Sequence, residues 1–178
     1  MAVRLVKRTG QRPRGVGAGW EGGTQARAGG AALRGAVAGT IGSAIMLAVM
    51  ELENRILPAH REVKPPPRRV VERAAEAAEV PVREPAGTVL TVGLHLGYGA
   101  LLGAGYGLLR RRPRRSAAVD GLLYGALVWA ANFPHGGVMP RLGAAPPAGR
   151  QPTRENLFTL TTHSVYGLAT AAAYEALR

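Results

Sequence analysis

Two histidines stand inside long stretches without formal charge, and their surroundings match. Thr91, His95, Tyr98, Gly99, Tyr106, Leu109 and Arg110 recur as Thr159, His163, Tyr166, Gly167, Tyr174, Leu177 and Arg178, each 68 residues later and without a gap. Three kinds of chemistry are open to such a pair. Imidazoles titrate near neutral pH and can relay protons; two imidazoles and a carboxylate such as Glu51 can ligate zinc; and all of these groups can hydrogen-bond between helices and fix their register. The H-x-x-Y-G spacing is not a metal motif, so no metal or other cofactor is expected. Ser116, Ser164 and the threonines lack the Gly-x-Ser-x-Gly elbow of a hydrolase nucleophile. Cysteine is absent, which removes thiolate chemistry and disulfides. No enzyme activity is expected.

The spacing also places these residues. Tyr98 and Gly99 follow His95 by three and four residues and share its face of a helix, as Tyr166 and Gly167 share that of His163, with Thr91 and Thr159 one turn before. Each histidine lies 14 residues before the end of its apolar run, at Leu109 or Leu177, which is about 21 Å along a helix. Glu51 and Asn132 fall at similar heights, about 24 and 22 Å, on two further apolar runs. One intramembrane polar site is therefore expected, built from His95, His163, Glu51 and Asn132 and lined by Tyr98, Tyr166, Thr91 and Thr159. Ionisable groups at membrane depth face a bundle interior.

Four runs carry them, at about 33–54, 87–109, 117–133 and 156–177. Each approaches the roughly 20 residues needed to cross a bilayer, although the third would rise only about 25 Å. Gly35, Gly39, Gly99, Gly103, Gly121, Gly125 and Gly167 mark faces where helices can approach closely. Gly35-x-x-x-Gly39 in the first run is echoed by Gly121-x-x-x-Gly125 in the third. The predicted fold class is all-α: a four-transmembrane-helix bundle of two tandem helical hairpins forming a parallel repeat, residues 32–178, behind a disordered basic tail, residues 1–31. A short surface helix is predicted over 68–80. His60 and His135 read as ordinary loop histidines near prolines.

Charge sets the orientation. The formal net charge is +12, yet the basic runs have no interleaved aromatics and no nucleic-acid module, so nucleic acid is not an expected partner. Seven Lys or Arg residues lie up to Arg34 and five in Arg110–Arg115, whereas 51–86 holds seven basic and seven acidic residues. By the positive-inside rule both termini are cytoplasmic. The expected partners are the lipid bilayer, with anionic lipid headgroups at the cytoplasmic basic segments, and a second copy of the chain through the glycine faces.

Glu51, Tyr106, Gly121-Leu-Leu-Tyr-Gly125-Ala-Leu, Phe133-Pro134, Gly-Val-Met-Pro140 and a last helix with Glu155 before His163 together resemble the YagU-type family of uncharacterised bacterial inner-membrane proteins. The resemblance runs from about Leu33 to Arg178. It implies a small multi-pass protein of the bacterial inner membrane and supplies no catalytic residues. The long Arg/Gly tail and the 68–80 segment depart from it. A structural or accessory role is the first expectation. The alternative is a small transporter or proton-linked permeation component using His95, His163 and Glu51. A third reading makes the basic tail an anchor for anionic lipid or a cytoplasmic partner.

Overall fold

The structure, a computed structural model, describes residues 18–56, 64–110 and 115–178, with side chains from Gln25 onward. In order the helices are α1 (Ala18–Ile56), α2 (Pro66–Ala77), α3 (Ala86–Leu109), α4 (Ala117–Asn132), the single-turn α5 (Val138–Arg141) and α6 (Thr153–Ala176), with a 3-10 turn at Ala148–Arg150 before the last. Among the described residues there is no strand. The expected unstructured tail is helical from Ala18: no proline stands between Pro13 and Pro58, and alanines 26, 28, 31 and 32 let the helix extend back from the apolar run. Residues 1–17 of that tail, Leu57, Pro58 and His60 lie outside the described residues. The predicted surface helix starts two residues early, at Pro66, because proline is well suited to the first helical turn.

Helices α1 and α3 pack antiparallel, as do α4 and α6, and α1 also lies along α6. Backbones touch at the crossings. A methyl group on Gly39 would overlap the Gly99 carbonyl, one on Gly35 the Gly103 carbonyl, and one on Gly107 the Ala31 carbonyl. The other pair repeats the arrangement, with Gly121 against the Gly167 carbonyl and Gly125 against that of His163. The glycine echo is thus displaced by one turn from the expected register: Gly39, not Gly35, stands opposite Gly99 as Gly121 stands opposite Gly167. Gly35, Gly39, Gly99, Gly103, Gly121, Gly125 and Gly167 all meet other helices of the same chain.

The bundle is apolar on its outer faces, and its core mixes small, aliphatic and aromatic residues with a few hydroxyls and one amide. Ser43, Asn132, Thr162 and Thr170 are buried together with Tyr106, Tyr124, Tyr166 and Tyr174, whereas Leu33, Val37, Ile41, Ile45, Val89, Leu90, Leu101, Leu122, Leu123 and Leu127 are exposed. A water-soluble bundle carries polar and charged residues on such outer faces. Among the described residues two helical stretches, Gln25–Ile56 and Ala86–Leu109, are long and apolar enough to cross a membrane. Helix α4 has 16 residues and rises about 24 Å, short of a hydrocarbon core of about 30 Å. Helix α6 is long enough but carries six threonines or serines besides His163.

The proline-rich end is closed by a cap. Arg68 of α2 bonds Glu72 at 2.9 Å and Glu84 at 2.6 Å, clamping α2 to the start of α3. Hydrogen bonds from Arg68 and then Lys64 hold the Glu72 carboxyl below its ordinary range. Ala148 N–H donates to the Phe133 carbonyl at 2.8 Å, which folds the 133–152 segment back over α4.

The glycines of α3 divide by environment, and so should their replacements. Alanine at Gly103, where the Gly35 carbonyl blocks it, is expected to destabilise the purified protein by about 1–3 kcal/mol or more. Alanine at Gly97, which meets nothing within 4 Å, should instead stabilise by about 0.5–1 kcal/mol through helix propensity. Thermal unfolding of the two variants reads the difference; equal melting temperatures would contradict this packing.

Candidate functional site

Helices α3, α4 and α6 bring their predicted polar residues together as three separate sets, the first two in the proline-loop half of the bundle. In the first, Tyr98 of α3 donates its hydroxyl to Asn132 Oδ1 of α4 at 3.1 Å, while Asn132 Nδ2 donates to the Val128 carbonyl one turn back at 2.8 Å. Asn132 is only 1% exposed, so both ends of its amide need partners and both are met.

The second set surrounds His163. Its Nδ1 lies 2.7 Å from the Thr159 carbonyl. A carbonyl only accepts, so Nδ1 is the donor in this contact. Phe133 presents its ring edge-on to the imidazole at 5.3 Å. Trp129 Nε1 donates to Thr159 Oγ1 at 3.0 Å, joining α4 to α6. His95 lies within electrostatic range of His163, and its Nε2 is buried with no hydrogen-bond partner among the described residues. Thr91 turns its hydroxyl to the Gly87 carbonyl of its own helix at 2.7 Å.

The third set is made by tyrosines and runs from mid-bundle to the arginine-loop end. Tyr166 donates to the Gly99 carbonyl at 2.8 Å and Tyr174 to that of Gly107 at 3.2 Å. Each phenol crosses the core from α6 and bonds α3 at a glycine that also admits α1.

Glu51 does not join these groups. Its side chain is exposed and paired with Arg55 at 2.8 Å, because α1 continues past Met50 to Ile56 and one turn separates the two charges along its surface. No group of three or more metal-ligating side chains occurs among the described residues.

Sequence reasoning missed the polar centre at the opposite end. Arg110, which closes the first copy of the repeated motif and opens the arginine loop, is 5% exposed. Its Nε donates to Glu175 at 3.1 Å, and its Nη1 donates to the Arg115 carbonyl at 2.9 Å and to Asp120. One guanidinium thus ties the end of α3 to the start of α4 and the end of α6, near the negative end of the α3 dipole. The available signal was Asp120 and Glu175, carboxylates at the edges of apolar helices that needed a partner.

The site and fold define an all-helical bundle with buried hydrogen-bonding aromatics, an apolar exterior and a buried arginine hub. A model of a family described as a protein of unknown function, DUF1440, matches residues 50–172, and the chain belongs to that family. Nothing among curated proteins or solved structures matches it. The family match begins within the last turns of α1, so most of the helix that packs against α3 lies outside it.

Tyr98 and Asn132 form an isolated pair suited to a double-mutant cycle. Tyr98→Phe removes one hydroxyl and should cost about 0.5–1.5 kcal/mol. In an Asn132→Leu background the same change should cost less. A coupling energy of zero would show that the two side chains do not bond.

Proposed function

We propose that this chain is a multi-pass membrane protein with four spans, α1, α3, α4 and α6, and a structural or accessory role rather than an enzymatic one. The observation that carries this reading is the uncharged, apolar outer face of the bundle. Along α4, residues 118, 119, 122, 123, 126, 127, 130 and 131 are exposed, and every one is Ala, Val or Leu. A short helix bounded by Ser116 and Pro134 with that outer face fits a bilayer far better than water. The six exposed residues of the α3 stretch 88–94, Thr88, Val89, Leu90, Val92, Gly93 and Leu94, contain no charge either.

The matching contacts support a tandem repeat. Gly39 and Gly121 meet the carbonyls of Gly99 and Gly167, residues separated by the same 68 positions as the two histidines. The two helical hairpins are then copies with parallel orientation. The excess of Lys and Arg at the α3–α4 connection and before α1 supports cytoplasmic termini, and the resemblance to YagU-type proteins supports the bacterial inner membrane.

The buried polar groups favour an architectural role over permeation. Tyr98, Trp129, Tyr166 and Tyr174 all spend their donors on neighbouring helices. The carboxylate that proton-linked permeation would use, Glu51, sits on the bundle's surface with Arg55.

Topology tests the proposal on this naturally cysteine-free chain. Full-length protein carrying Ser116→Cys should be labelled by a membrane-impermeant maleimide only after the inner membrane is opened, and protein carrying His135→Cys should be labelled in intact spheroplasts. Labelling of both from one side would overturn the four-span arrangement, and release of the protein by alkaline carbonate would overturn membrane integration.

A further inference from the structure

The two hairpins meet along two seams, and the seams differ. At one, Gly42 of α1 lets α6 approach until a methyl group on that glycine would overlap Thr170 Oγ1. At the other, Tyr124 of α4 faces Leu102 of α3 and donates to its carbonyl at 2.5 Å. Leu102 precedes Thr170 by 68 residues, and Gly42 precedes Tyr124 by the same 82 that separate Gly39 from Gly121. Equivalent places thus hold a glycine and a tyrosine. The glycine closes its seam, and the tyrosine props the other open.

The propped seam is a cleft of about 550 Å³ at the arginine-loop end, between α3 and α4. Its walls are of two kinds. Leu109, Leu123 and Leu127 supply an apolar side open to the exterior, while Arg110, Arg115 and Asp120 supply a charged end. Arg115 makes no ion pair among the described residues, whereas Arg110 is held in place by Asp120 and Glu175. Tyr106 also lines the cleft: it is 98% buried by its 2% exposure, and its hydroxyl has no hydrogen-bond partner among the described residues. A buried phenol lacking a partner costs stability unless a ligand supplies one.

We propose that this cleft binds one anionic phospholipid. Its phosphate accepts from Arg115 and the Tyr106 hydroxyl beside the fixed Arg110, and an acyl chain lies along Leu123 and Leu127. A basic pocket between helices at the cytoplasmic level suits an anionic headgroup. The apolar wall, which faces outward into the bilayer, distinguishes a lipid from a free anion. The inference rests on the membrane reading above.

The test uses the full chain in a neutral detergent, titrated with dioleoylphosphatidylglycerol, dioleoylphosphatidylcholine or inorganic phosphate, and read by native mass spectrometry and thermal shift. Phosphatidylglycerol should bind saturably with one molecule per chain, about tenfold tighter than phosphatidylcholine, and Arg115→Ala or Tyr106→Phe should remove about that factor. Tyr106→Phe should leave the lipid-free melting temperature unchanged or raised, because its hydroxyl bonds nothing there. Leu123→Trp, which fills the cleft from an exposed position, should abolish the tight site. Unchanged binding in the three variants, or equal affinity for the two lipids, would overturn the proposal. So would competition by inorganic phosphate, which would mark a small-anion site. If binding fails while the protein still resists carbonate extraction, only the cleft assignment falls; release by carbonate removes the membrane reading with it.

Discussion

Helix α1 reaches α3 only because Gly35, Gly39, Gly103 and Gly107 leave no side chain between the backbones, so that a carbonyl of one helix rests on the α-carbon of the other. In a bilayer, where lipid is as apolar as leucine, such contacts and hydrogen bonds replace the hydrophobic effect as the force between helices. The same glycines set the reach of the tyrosines. Gly99 and Gly107 present their carbonyls to Tyr166 and Tyr174 while the Gly99 α-carbon faces Ser43 and that of Gly107 faces Ala31. One row of residues therefore joins three helices, and widening it would separate the phenols from their acceptors as well as α1 from α3.

Around that row the bundle is unequal from end to end. The proline-loop half is knit by Tyr98, Asn132, Trp129 and Thr159, with neutral donors and acceptors suited to a dry interior. The arginine-loop end depends on a single guanidinium shared by Asp120, Glu175 and the Arg115 carbonyl. Arg178, which stands in the sequence where Arg110 does in the preceding copy of the motif, bonds the same Glu175 at 3.2 Å. Removing Glu175 would therefore leave two cations short of a partner.

Much of this was legible in the sequence. The helical class, the long apolar runs and the packing glycines follow from composition and spacing, since small residues at intervals of four on an apolar helix admit few other uses. That Asn132 and Tyr98 belong to the bundle interior was also legible, from the height of Asn132 and from the helical face that Tyr98 shares with His95, but their pairing was not. Heights do not fix rotation about a helix axis, and there the reading of Glu51 parted from the structure. Glu51 has the right height, but Arg55 one turn on draws it along the helix surface. Arg110 was hidden for a related reason: five arginines in six positions read as a charge run, and only tertiary contact with Asp120 and Glu175 singles out the one that folds inward. The seam at Tyr124 was equally invisible, because its meaning lies in the contrast with Gly42 on a different helix.

A four-span bundle requires the outer faces of the shorter helices to meet lipid, and spin-label accessibility along α4 measures that directly. Nitroxides placed singly at 119 to 131 in the reconstituted protein should show collision with oxygen, and little with a water-soluble nickel reagent, at 119, 122, 123, 126 and 127. Positions 124 and 128, whose side chains are buried, should be shielded from both. High nickel accessibility along the outer face would place α4 in water and contradict the four-span bundle.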